Sequence, residues 1–159
     1  MQFQLNYNTD FTCQHCHRFV SANAFLAGAQ NRNHCPYCLW SRHLDLFEPG
    51  DRLAACKAGM RPVALSVKRS RKKYVSRSGE LMLVHQCTGC GKLSINRIAA
   101  DDIADYVFEV YDDSLRLAPP MLEQMRESGI DVLREDDEPL ARLRLFGGLE
   151  QEMCLSETG

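Results

Sequence analysis

The sequence predicts an α+β protein: a small β-rich module of the zinc-ribbon or treble-clef kind with two structural metal sites, followed by an acidic, mainly helical extension. Three observations lead there. Three Cys-x-x-Cys pairs lie between residues 13 and 90. Two apolar, β-branched stretches flank a run of basic residues. The charge changes sign near residue 100, where helical patterns begin.

The first two pairs, Cys13/Cys16 and Cys35/Cys38, are separated by 18 residues. That spacing suits a four-cysteine zinc site, in which each pair forms a tight knuckle and two knuckles complete a tetrahedron. Cys35-Pro-Tyr-Cys38 is also the tetrapeptide of a glutaredoxin active site. In that fold an apolar strand precedes the motif, whereas "GAQNRNH" precedes it here. Cys35 is therefore read as a ligand, with Pro36 stiffening the knuckle. The third pair, Cys87/Cys90, needs two more ligands. Cys56 is the one remaining cysteine of this region, and a histidine must complete the set. Of His15, His17, His34, His43 and His85, His43 has the best placement, five residues past Cys38 and thirteen before Cys56. The second set is thus His43, Cys56, Cys87 and Cys90, with a satisfied core histidine as the competing reading of His43.

Leu39, Trp40, His43, Leu44 and Phe47 recur at helix-like spacing, which predicts a short helix from about Cys38 to before Pro49-Gly50. "RPVALSV" (61–67) and "GELMLVHQC" (79–87) read as the strands of a hairpin, with the basic run "KRSRKKYVSRS" between them. From Asp101 onward the patterns are helical. One helix carries Ile103, Val107, Val110 and Tyr111 as its inner stripe and breaks at Pro119-Pro120. A second ends at Gly129 and a third at Gly147, leaving a frayed end that contains Cys154. The expected division is residues 1–102 and 103–159.

The formal net charge of −2 conceals this division. Residues 1–100 hold fourteen Lys and Arg against five acids, while residues 101–159 hold five against sixteen. Seven thiolates on two divalent ions leave the first region positive. No apolar run approaches the roughly 18 residues that a membrane span requires. The opening "MQFQLNYNTDFTC" has neither the basic nor the apolar region of a secretory signal. A reducing, cytoplasmic setting is expected, in which cysteines serve metals before disulfides.

Three ordered blocks, "NRNHCPYCLWSRHLD", "PGDRLAACKAGMRPV" and "HQCTGCGKLSINRIAADD", resemble the RNHCP domain family of bacterial proteins across about residues 10–102. The resemblance implies a small zinc-binding fold, with Cys13, Cys16, Cys35, Cys38, His43, Cys56, Cys87 and Cys90 as ligands of two Zn²⁺ ions. It supplies no reaction. It also marks Arg32, Asn33, His34, Asn96 and Arg97 as motif positions. The chain departs from the pattern at His17, where glycine commonly follows the knuckle and accepts positive φ without strain. The heavy basic run and the acidic extension also lie outside what the pattern requires.

Lys68, Arg69, Arg71, Lys72, Lys73 and Arg77, with Tyr74 among them, form a surface suited to phosphate and to stacking on an unpaired base. A solvated hairpin whose charges discourage edge pairing is the alternative. Asn31, Arg32 and Asn33 just before one knuckle, and Asn96 and Arg97 just after another, can contact phosphate or base edges, or can support the metal sites by tying down knuckle carbonyls and the acids Asp101 and Asp102. The expected partner is RNA or a ribonucleoprotein such as the ribosome, with DNA or RNA polymerase as a variant. The runner-up is a protein–protein adaptor that docks through residues 103–159, and a metal-dependent nuclease ranks third. Two filled four-ligand sites leave no open position for catalysis.

Overall fold

The computed structural model describes residues 10–23, 25, 32, 34–46, 53–68 and 79–157, with side chains given as far as residue 147. The expected α+β class is observed. A two-stranded ribbon pairs β1 (Phe11–Thr12) with β2 (Phe19–Val20) around the first Cys-x-x-Cys pair. The main sheet has the order β3-β4-β5-β6 and is antiparallel throughout. Its strands are β3 (Ser41–Arg42), β4 (Gly59–Lys68), β5 (Glu80–Cys87) and β6 (Leu93–Arg97). Three helices follow: α1 (Ala104–Ser114), α2 (Pro119–Glu127) and α3 (Glu138–Glu157).

The β4–β5 hairpin is the backbone of the fold and falls where its β-branched stretches place it. Pairing runs from Met60 opposite Cys87 to Lys68 opposite Glu80, with an irregularity between Pro62 and Ala64. Proline has no N–H to donate, so a break in the ladder at this position is expected. Successive pairs point to opposite faces. Leu65 and Leu83 pack with Val107, Tyr111, Leu133 and Ala141. The neighbouring pair, Ala64 and Val84, packs with Met125. The acidic half therefore shares its core with the basic half, covering both faces of the hairpin. Residues 131–133 also line the outer edge of β4: Leu133 N–H donates to Leu65 O at 2.9 Å, and Val67 N–H to Asp131 O at 3.1 Å.

Two elements differ from the sequence expectation. No helix forms over residues 39–46: Leu39 has φ 66° and Ser41–Arg42 form β3 against Met60 and Gly59. Leu39 and His43, counted as one helical stripe, are buried for separate reasons, the first in the core and the second in a metal-ligand cluster. The last helix does not stop at Gly147 but runs to Glu157. Glycine in a helix interior costs about 1 kcal/mol relative to alanine, which weakens a helix without ending it. Gly129, by contrast, has φ 76° and lies just past α2, as expected.

Candidate metal centres

Three short loops of this chain share one construction. The N–H of the first cysteine donates to the carbonyl five residues on: Cys13 to Arg18 (2.8 Å), Cys35 to Trp40 (2.9 Å) and Cys87 to Lys92 (2.8 Å). The residue after the second cysteine donates back to the first cysteine's carbonyl, from His17, Leu39 and Gly91. All three of these residues have positive φ, at 65°, 66° and 78°. The left-handed turn reverses the chain so that both sulfurs face one point, and it forbids the helix expected after Cys38. Cys56 has no Cys-x-x-Cys partner, yet Lys57 after it also has positive φ, 52°. His43 is tied to that turn by its N–H to Ala58 O and by Lys57 N–H to its own carbonyl.

The eight predicted ligands come together as two groups, Cys13/Cys16/Cys35/Cys38 and His43/Cys56/Cys87/Cys90, with all ligand atoms of a group within 4.8 Å of one another. Cys13 and Cys38 sulfurs lie 3.6 Å apart, as do those of Cys16 and Cys35 and those of Cys56 and Cys87. His43 turns Nδ1 to the Cys90 sulfur at 3.3 Å. The edge of a tetrahedron with metal–sulfur bonds of about 2.3 Å is about 3.8 Å, so both groups fit a tetrahedral ion. All seven thiols are free of disulfides. Close approach is also built into the third knuckle: a Cβ on Gly89 would meet Ala58 Cβ at 2.9 Å and the Cys56 sulfur at 3.1 Å.

The thiols are unequal as acids. Burial pushes the Cys35 thiol up to about 11 and raises Cys38 as well. Burial also opposes ionisation of Cys87, but the N–H groups of Cys90 and Gly89 outweigh it and hold that thiol down at about 6. A divalent ion must displace protons from such a set, so binding weakens in acid. The groups differ in access too. Cys13 and Cys35 are buried in the first, whereas Cys56 and Cys90 are exposed in the second.

Behind the second knuckle lies a buried polar lattice. Arg32 makes two 2.7 Å bonds to Asp101 and donates through Nε to His34 O. Its side chain is only 1% exposed. His34 Nε2 donates to Asp102 at 2.7 Å, and the same carboxylate oxygen accepts Ala99 N–H. Asn96 donates to His85 Nδ1, whose Nε2 donates to Leu39 O at 2.7 Å. Burial, with the neighbouring His34, pushes His85 down to about 3, so it is neutral. This lattice ties residues 32–39 to residues 96–102 and fixes the knuckle between them.

The phosphate-contact reading of Arg32 is thereby corrected, because its donors are turned inward and taken by Asp101 and His34 O. The carboxylate that serves His34 is distant in sequence: Asp102 is 68 residues away and adjacent in space. Lys68 is exposed at the end of β4. Arg97 is exposed and pairs with Glu80 at 2.8 Å. Arg69, Arg71, Lys72, Lys73, Tyr74 and Arg77 lie outside the described residues, as do Asn31 and Asn33.

The RNHCP domain model matches residues 8–108, well over half of the chain. The chain belongs to the RNHCP domain family. Arg32, His34, Cys35 and Pro36 of the family's naming motif thus have distinct parts here: two lattice anchors, one metal ligand and one knuckle stiffener. The chain matches no curated protein and no solved structure. Together the family and the two ligand groups make this a metal-binding domain. No helix among the described residues is long and apolar enough to cross a membrane.

Proposed function

We propose that this RNHCP protein is a non-catalytic, cytoplasmic zinc protein that contacts RNA or a ribonucleoprotein, such as the ribosome, through the basic end of its long hairpin. Zinc is the preferred ion because it takes tetrahedral Cys₄ and Cys₃His sets in structural sites. The observation that carries the reading is the register of the hairpin. β4 leaves the metal centres at Gly59 and β5 returns to them at Cys87, so the run 69–78 joins the opposite end, about 30 Å away at 3.3 Å per residue. Lys68, opposite Glu80, and Arg97, paired with Glu80, stand at that end. Phosphate contacts need such cations free of buried partners.

The adaptor alternative loses support from the helices. Leu115 and Leu145 pack on one core cluster, and Leu117, Met121 and Met125 belong to the other, so these side chains serve the chain's own fold. A nuclease reading finds no open metal position, since each group already supplies four ligands.

The test is sedimentation of the native protein from lysate through a gradient at low and high salt, with and without ribonuclease. Co-migration with RNA particles, lost at high salt and on replacing Lys68, Arg69, Arg71, Lys72, Lys73 and Arg77 with glutamine, is the expected result. Protein that remains at the top of every gradient would sink the reading.

A further inference from the structure

A groove of about 690 Å³ separates the first two knuckles from α1. Its size is that of a small-molecule site. Three aromatic side chains line it: Tyr37 and Trp40 from the second knuckle and Tyr106 from α1. Tyr37 and Tyr106 are partly exposed although large and apolar in most of their surface. The two walls are held together where Ile103 N–H donates to Pro36 O at 3.3 Å.

Four charged side chains line this groove, and one of them, Asp113, is already held by Arg116 at 2.6 Å. Arg18 and Arg61 line it, as does Glu109, and none of the three has an ion-pair partner among the described residues. Arg18 lies over the Tyr37 ring at 4.9 Å, which orients its guanidinium without neutralising it. A ligand for this groove must therefore offer a flat face, an anion and a hydrogen-bond donor together.

The floor argues against a peptide strand. β3 covers β4 at Gly59 and Met60, and residues 131–133 cover it at Leu65–Val67, leaving a gap at 61–63 on the groove side. An added strand would require backbone donors there, and Pro62 has none.

We infer that this groove binds an unpaired guanine nucleotide. The base stacks on Tyr37 and Tyr106, the phosphate meets Arg61 and Arg18, and the Glu109 carboxylate accepts from the base's N–H groups. Guanine suits a carboxylate because its N1–H and N2–H donors lie side by side. This inference stands on the groove and not on the basic run at the far end of the hairpin. The same chemistry is presented by a free nucleotide and by an unpaired residue of RNA.

Trp40 is the chain's single tryptophan; it lines this groove and also a second one, where it stacks on His15 at 4.1 Å, so its quenching is assigned to this groove by the groove variants below. The metal-loaded full-length chain is titrated with GMP, UMP, inorganic phosphate and the single-stranded hexamer UUGUUU. Saturable quenching by GMP, at least about tenfold tighter than by UMP, is expected. Tyr106→Ala and Arg61→Gln, both at exposed positions away from the metal ligands, should each weaken GMP about tenfold, within the range for loss of one stacked base. Tyr106→Phe should restore the stacking part. A hexamer that binds more tightly than GMP assigns the site to RNA, and the reverse order assigns it to the free nucleotide; both uphold the site. Quenching by inorganic phosphate as tight as by GMP, no saturation with GMP, or indifference to both variants would overturn it. Glutamine substitution of the basic run leaves GMP binding unchanged, which separates this test from that of the hairpin.

Discussion

His17, Leu39 and Gly91 occupy the same left-handed position in three knuckles, and only one of them is glycine. An L-residue at positive φ costs roughly 1 kcal/mol relative to glycine. His17 is exposed, so nothing offsets that cost by packing. His17→Gly should therefore raise stability by about 1 kcal/mol, read as a higher denaturation midpoint. Leu39 is buried in the main core, so Leu39→Gly should lower stability by about 2–5 kcal/mol despite the same backbone relief. Asp102 serves His34 and Ala99 and lies near Arg32, with its own side chain 0% exposed. Asp102→Ala leaves those donors buried without acceptors and should cost about 3–5 kcal/mol. The positions Arg32, His34, Asn96 and Asp102 were visible in the sequence as a motif and as possible supports. The acids Asp101 and Asp102 were read as partners for Arg32, and Asp101 is the one it holds; the pairing of His34 with Asp102, 68 residues away, leaves no periodic trace.

At the scale of elements, the strands and helices that carry strong patterns were legible. β4, β5, α1 and α2 match the apolar runs, and proline and glycine mark the ends of α2. The metal ligands were legible from spacing, including His43, whose choice rested on the thirteen residues to Cys56. The two-residue strands β1, β2 and β3 were missed, and β3 was hidden because a knuckle turn followed by a short strand can mimic a helical stripe over one turn. β6 was missed too: Leu93–Arg97 is a short edge strand with mixed exposure and little alternation. The two centres differ in a way only the structure reveals, since exposure of Cys56 and Cys90 opens the second to solvent. A chelator titrated into the protein should remove metal in two phases, the His43 centre first. Cys56→Ser should abolish the fast phase and leave the slow one. A single phase with both ions leaving together would contradict the difference in access.

For the whole molecule, the charge division is real in sequence but does not divide the core. Val107, Tyr111, Leu133 and Ala141 from the acidic half close over Leu65 and Leu83 from the basic half. Truncation at residue 102 should thus give an aggregating product that binds a hydrophobic dye. Sequence could not foresee the shared core because each half has its own periodicity and the contact between them is set by tertiary packing. RNA affinity should fall with salt, with a log–log slope that drops by about 0.7 for each phosphate-contacting cation removed from the hairpin end.

Two metal ions organise this fold, and native mass spectrometry of the full-length protein before and after chelation is the measurement that decides whether they do. The spectrum should show a chain carrying two zinc ions, whose complete removal shifts the charge states to those of an unfolded chain, since structural zinc supplies on the order of 10–16 kcal/mol in small domains. A compact chain that carries no metal, or that stays compact after both ions are removed, would contradict it.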